Sequence, residues 1–265
     1  MLHDLKVIPR RTVVKGLVGL TLTISGIRCA PAGSSTTPAP AKILTSATSA
    51  PSASPTPGPT LYTYSGHSGW VFAVAWSPDG KRIASTSNDV EVWDAIDGGH
   101  AFIYSGHSSN AVRTVAWNPG GKRIASAGDD KTVQVWDAAD GNHVFVYRGH
   151  TAAVDTVAWS PDGRHIASAG GDQVVQVWDT ASGKLTFIYH GHYDNVFAVA
   201  WSSDGRYIAS ASGDQAVQVW HAPSGGHIFT YRGHTNGVGA VAWLPDGRYI
   251  VSASDDTTAQ VWQAQ

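Results

Sequence analysis

Along residues 61–265, apolar and polar positions alternate in short runs that recur in a fixed order. An "AVAW"-type run ends at a polar turn such as "SPDG" (77–80), and an "IAS" or "IVS" run follows it. Next comes "VQVW", and a "D-x-x-x-G" turn then leads to a run such as "HIFTY". Period-two alternation between Gly- and Asp-bearing turns predicts β-strands joined by tight hairpins. The turn aspartates Asp79, Asp162, Asp204 and Asp246 suit this role, because Asp-Gly tolerates the backbone angles a tight turn needs.

The unit is written five times. Gly-His pairs begin at 66, 106, 149, 191 and 233, and tryptophans closing the third run stand at 93, 136, 178, 220 and 262. Spacings of 40 to 43 residues match the period of a four-stranded propeller blade. Between Gly-His and the first tryptophan the ends stay constant and the middle changes, as in "GHSGWVFAVAW", "GHTAAVDTVAW" and "GHYDNVFAVAW".

The period, the Gly-His pairs and the Trp-Asp endings together resemble the WD-repeat β-propeller family over residues 61–265. The resemblance implies an all-β fold, a β-propeller of four-stranded antiparallel blades. The family closes its ring by pairing an N-terminal strand with three C-terminal ones, which hides exposed sheet edges. Here "LYTY" (61–64) and the last three runs supply those halves, so five blades closed by an N-terminal strand are expected. An open arc, or a ring completed by a second chain, is the competing picture.

The family's buried hydrogen-bonded set of His, Ser, Asp and Trp carries over onto His107, Ser126, Asp130 and Trp136, with one extra residue in the first loop. It carries over equally onto His150, Ser168, Asp172 and Trp178, onto His192, Ser210, Asp214 and Trp220, and onto His234, Ser252, Asp256 and Trp262. A buried imidazole needs a carboxylate and a hydroxyl around it, and an indole N–H needs an acceptor. Ser, His and Asp together suggest a nucleophile, but copies doing identical jobs argue for scaffold. In the first unit three residues separate Asp89 from Trp93, where the others have five. The cut hairpin predicts that His67, Ser85, Asp89 and Trp93 do not assemble, and that the first blade is the least stable.

Positions that differ between copies are free of the folding demand or serve something done once. The residue after the first Val of the inner strand is Phe72, Arg113, Asp155, Phe197 and Gly239 in turn. The preceding loops add Trp70, Asn110, Tyr193, Asp194, Asn195 and Asn236, and Lys131, Gln173, Gln215 and Thr257 form a second variable ring in the hairpin turns. In the family these loops share one face around the central channel. Ten of the 11 tryptophans belong to the frame, and Trp70 is the one left over. Trp70, Phe72, Asn110, Arg113, Asp155, Tyr193, Asn195 and Phe197 are the expected partner-binding face, since Trp, Tyr and Arg dominate binding hot spots.

Composition and charge narrow the partner. Glu and Met occur once each against 29 Gly and 13 Pro, a balance that favours strands and turns. Residues 61–265 carry 12 Lys/Arg and 19 acids, a net charge of −7, which is wrong for a phosphate backbone, so nucleic acid is not expected. Cys29 is the single cysteine, so no internal disulfide forms. "HGH" (190–192) is no metal site, because the frame uses His192 and His190 aligns with Arg148 and Arg232. Neither metal nor cofactor is expected.

Residues 1–60 hold six Lys/Arg and one Asp. Arg10, Arg11 and Lys15 in "PRRTVVK", before the apolar run 16–27, resemble a twin-arginine export signal ending near "APA" (30–32). Cys29 raises a lipoprotein alternative, against which Arg28 stands where a small residue is needed. Residues 33–60 are almost wholly Pro, Ala, Ser, Thr and Gly, the composition of an extended disordered linker. The expected protein is an extracytoplasmic, non-enzymatic scaffold that binds a protein or peptide, touching a membrane only through its N-terminal segment if that is retained. Glycan binding is the alternative, and hydrolysis by channel carboxylates is the weakest reading, because Asp155 stands alone on the inner strand.

Overall fold

The computed structural model describes residues 60, 62–99, 101–108, 111–142, 144–222 and 224–264. The export-like segment with Arg10, Arg11, Lys15 and Cys29, the linker as far as residue 59, Leu61 and Asn110 lie outside the described residues.

Each repeat becomes one antiparallel sheet, and no helix occurs among the described residues. Blade 1 comprises β1 (Ala73–Trp76), β2 (Arg82–Thr86), β3 (Val90–Asp94) and β4 (Phe102–Tyr104). Blade 2 comprises β5 (Val112–Trp117), β6 (Arg123–Gly128), β7 (Val133–Asp137) and β8 (Phe145–Tyr147). Blade 3 is built from β9 (Val154–Trp159), β10 (His165–Gly170), β11 (Val175–Asp179) and β12 (Leu185–Tyr189). Blade 4 follows with β13 (Val196–Trp201), β14 (Tyr207–Ser212), β15 (Val217–His221) and β16 (Gly226–Tyr231). Blade 5 has three strands, β17 (Val238–Trp243), β18 (Tyr249–Ser254) and β19 (Ala259–Gln263).

The first hairpin turn of blades 1, 3 and 4 is locked by its own side chains. Ser77, Ser160 and Ser202 each donate Oγ–H to the Asp two residues on at 2.6 Å, and that Asp accepts a further backbone N–H from 81, 164 or 206. The glycine that ends each such turn has φ between 68° and 70°, the left-handed region where a Cβ would be strained.

Blades join through their inner strands, β1 to β5, β5 to β9, β9 to β13 and β13 to β17. Four apolar clusters fill these contacts, so the core is a row of inter-blade layers and each blade contributes to its neighbours.

Closure of the ring by hydrogen bonds is not seen among the described residues. Residues 62–64 form no strand, and among the described residues nothing pairs with the outer edge of β19. Tyr64 is held by blade 1, its ring stacked on Trp93 at 4.7 Å and its hydroxyl donating to Glu91 Oε2 at 2.5 Å. Its stacking matches that of the fourth-strand tyrosines, Tyr104 on Trp136 at 4.3 Å and Tyr147 on Trp178 at 4.8 Å. The segment is thus anchored to the blade that follows it, without a ladder to β19.

Candidate partner-binding face

Beneath the variable loops lies the repeated polar frame. His107 Nδ1 lies 2.9 Å from Asp130 Oδ2, and its Nε2 lies 2.8 Å from Ser126 Oγ. The same two contacts measure 2.8 and 2.7 Å at His150, 2.8 and 2.8 Å at His192, and 2.7 and 2.8 Å at His234. Trp136, Trp178 and Trp262 donate Nε1–H to the same serine oxygens at 3.1, 3.3 and 3.2 Å, whereas the buried Trp220 Nε1 finds no acceptor. Tyr104 and Tyr147 donate to Gln134 and Gln176 Oε1 at 2.6 Å, Tyr231 to Gln260 at 2.5 Å, and Tyr189 to Gln218.

The protonation states follow from burial and neighbours. Burial alone would raise Asp130, but the His107 charge and the hydrogen bonds from Thr132 outweigh it, and the carboxyl sits below its ordinary value. Asp172, Asp214 and Asp256 shift the same way, with hydrogen bonding from His150, from His192 and from Thr258 and His234 outweighing burial. Burial lowers His107 against the opposing pull of Asp130. Tyr104, Tyr147 and Tyr189 are pushed up to about 12, first by burial and then by the nearby aspartate charge.

These sets have the connectivity of a nucleophile, a base and an orienting acid. Their serines are buried, and at three of them Oγ also accepts an indole N–H, so no acyl or phosphoryl group has a path to the oxygen. They build the blade.

Blade 1 solves the same problem differently. His67 Nε2 lies 2.6 Å from Ser85 Oγ, and Trp93 Nε1 donates to Ser85 at 3.0 Å, so three of the four residues do assemble. The carboxylate facing His67 Nδ1 is Glu91, at 3.1 Å and without hydrogen-bond alignment. Asp89 stands nearby with its carboxyl raised, by burial and then by the Glu91 charge. Ligand atoms of His67, Asp89 and Glu91 lie within 4.8 Å of one another, a spacing open to a cation. Tyr64 donates to one Glu91 oxygen, and His67 Nδ1 lies 3.1 Å from the other. Glu91 takes the register place of Gln134, Gln176, Gln218 and Gln260, two residues before the tryptophan, and counting back from Trp93 would have found it.

In blades 2 to 5 the loop before the inner strand is bonded to the second hairpin turn of the same blade, which puts the two variable rings of those blades at one end. Asp129 N–H donates to Ala111 O at 3.1 Å, and Gly171, Gly213 and Asp255 N–H donate to Ala153, Asn195 and Gly237 O at 2.9 Å. Lys131, Gln173, Gln215 and Thr257, with φ from 64° to 70°, occupy the left-handed turn position. The sequence offers an Asp before each but no glycine.

Four of the five variable inner-strand residues prove to be bulges. The ladder slips at Arg113, Asp155, Phe197 and Gly239, each an extra residue opposite the second strand. A bulge residue has no cross-strand partner to match and is re-aimed, which is why its identity is released from the repeat.

Arg113 and Asp155 are brought together. Arg113 Nη1 donates to Asp155 Oδ1 at 2.7 Å and Nε donates to Asp129, so the guanidinium joins blades 2 and 3. Trp70 and Tyr193 are 85% and 80% exposed, and Phe72, Asn195 and Phe197 are half-buried. Trp70 and Phe72 belong to blade 1, while Tyr193, Asn195 and Phe197 belong to blade 4, so the aromatics form two groups with the Arg113–Asp155 pair between them in chain order. At the opposite end a shallow cleft of about 420 Å³ lies between blades 3 and 4, near His165 and Trp201.

No curated protein matches the chain. The family model described as "WD domain, G-beta repeat" matches five times, at residues 58–94, 98–137, 141–179, 183–221 and 225–263. With the period, the blades and the buried His-Ser-Asp-Trp sets in agreement, the chain belongs to the WD domain, G-beta repeat family.

Proposed function

We propose that this propeller is a scaffold displayed outside the cytoplasmic membrane, and that it binds a protein or peptide on the face carrying Trp70 and Arg113. Repeats of this family indicate a protein-interaction scaffold. The observation that carries the choice of face is Trp70, 85% exposed and the single tryptophan the frame does not use. An indole held in water on a rim of small and polar residues gains most when a partner covers it. The support for export is the Arg10-Arg11 and Lys15 pattern ahead of an apolar run and a Pro/Ser/Thr linker.

The test uses the full chain in its own cells, with a photo-crosslinking amino acid at position 70. A discrete protein adduct, lost when the label moves to the opposite end of the blades, is the expected result. Absence of any adduct, or an adduct to carbohydrate alone, overturns the reading. Cell fractionation locates the chain independently, and a wholly cytoplasmic chain overturns the display.

A further inference from the structure

The seam between blades 5 and 1 is unfinished in a way that names its own complement. At each of the four inter-blade contacts the inner-strand tryptophan of the later blade donates Nε1–H to an alanine carbonyl of the earlier one. The pairs are Trp117 to Ala75, Trp159 to Ala116, Trp201 to Ala158 and Trp243 to Ala200, all at 3.1 Å. In the accompanying clusters Val92 is grouped with Val112, Val135 with Val154, Val177 with Val196 and Val219 with Val238.

Continuing the series leaves one member unused at each end. Blade 1 offers Trp76 and Val71, and blade 5 offers the carbonyl of Ala242 and Val261. Trp76 is 61% exposed where Trp117 is 6%, and Val261 is 70% exposed where Val219 is 1%. Val74 beside Trp76, and Val251 beside Val261, are exposed as well. No packing of β17 on β1 as extensive as the other four joins the two faces among the described residues. The edge of β19 and residues 62–64 stand as an unpaired strand edge and an unpaired strand.

We propose that these faces are the two halves of one interface between copies of this chain. Blade 5 of one copy docks on blade 1 of the next, Trp76 Nε1 donates to Ala242 O, Val261 packs on Val71, and residues 62–64 pair with β19. A second copy is the occupant because each face is the complement of the other, as the four internal contacts demonstrate. A foreign partner would have to imitate a blade of this chain. The contact removes both an apolar face and a sheet edge from water, the two features that soluble proteins avoid displaying. Being head-to-tail it is heterologous, so two copies joined at both ends close into a ring and copies joined at one end form a growing chain.

The experiment uses the full 265-residue chain with Cys29→Ser as background. One preparation carries Val71→Cys, a second with a different tag carries Val261→Cys, and the two are mixed with a short thiol crosslinker. The expected product is a covalent heterodimer containing both tags, while neither preparation alone crosslinks. Light scattering of the unmodified chain gives a multiple of the single-chain mass. Val261→Asp lowers self-association ~tenfold or more, because a carboxylate enters an apolar contact. Leu185→Asp, at an exposed apolar position on β12, leaves it unchanged. A monomer whose Val71→Cys/Val261→Cys double variant crosslinks only within one chain overturns the proposal in favour of self-closure. A monomer that forms no crosslink overturns it in favour of a different partner.

Discussion

His67 Nδ1 lies 3.1 Å from Glu91 Oε1, while Glu91 Oε2 accepts the Tyr64 hydroxyl at 2.5 Å. In the other four blades an aspartate faces the histidine and a glutamine accepts from the tyrosine. Blade 1 has three residues between Asp89 and Trp93 where the others have five, and one longer carboxylate does both jobs. Burial and the Glu91 hydrogen bond push Tyr64 up to about 12, so the phenol keeps its proton at any ordinary pH.

Glu91→Gln therefore has a defined outcome. Glutamine fits this place in four blades, but here it leaves the buried His67 without an anionic partner. A loss of about 1–3 kcal/mol in denaturant unfolding is expected, the usual cost of stranding a buried polar group. Unchanged or increased stability would show that Asp89 takes over.

The acid limb of stability follows from the buried sets. Asp130, Asp172, Asp214 and Asp256 lie below the ordinary 3.8 in the folded chain. Above 3.8 both states are ionised and the full stabilisation is present; below it the unfolded chain takes protons first, and stability is lost. His107, lowered from 6.5 by burial, acts with the same sign, because the unfolded histidine protonates first as pH falls below 6.5. Stability should fall gently below about pH 6.5 and steeply below about 3.8. Asp172→Asn should lower stability at neutral pH and flatten the steep part of the pH titration. A parallel displacement of the whole curve, with no change of slope, would deny Asp172 this role.

The Arg113–Asp155 bridge separates structural from functional roles on the variable face. Arg113 spans two carboxylates across two blades, so Arg113→Ala should destabilise the chain by about 1–3 kcal/mol, and Arg113→Lys should recover only part of that, lacking the fork. Trp70→Ala removes a side chain that is 85% in water and should leave the melting temperature unchanged. Equal thermal shifts for the two variants would mean that Trp70 is packed in solution.

The repeats made the blades, strand order and buried sets legible, because five internal copies expose what every blade needs. The bulge at Arg113, Asp155, Phe197 and Gly239 was visible only as free variation. A slip in the ladder leaves no mark in a period-two pattern. Glu91 is masked in the sequence because Asp89 matches the family by residue type, whereas geometry follows distance from Trp93. The sequence carries the open seam only as the competing picture to a closed ring, with no residue that marks it. Val261 is the same residue as the buried Val219, and Trp76 the same as the buried Trp117, since a repeat writes its neighbour-facing side whether or not a neighbour is there.

That seam also decides where the propeller is weakest. The shortened hairpin alone places the weak point in blade 1, but Glu91 and Tyr64 repair the polar set there. Blade 5 exposes Val251 and Val261 and has three strands among the described residues, whereas blade 3 is covered on both faces. In a stack whose units are stabilised by their neighbours, opening begins at an uncovered end. Amide exchange at low protein concentration should be fastest in β18 and β19, intermediate in β2 and β3, and slowest in β10 and β11. A ~tenfold or larger difference between β19 and β11 is expected, since local opening spans from near zero to the global free energy. Faster exchange in β2 and β3 than in β19 would return the weak point to the cut hairpin.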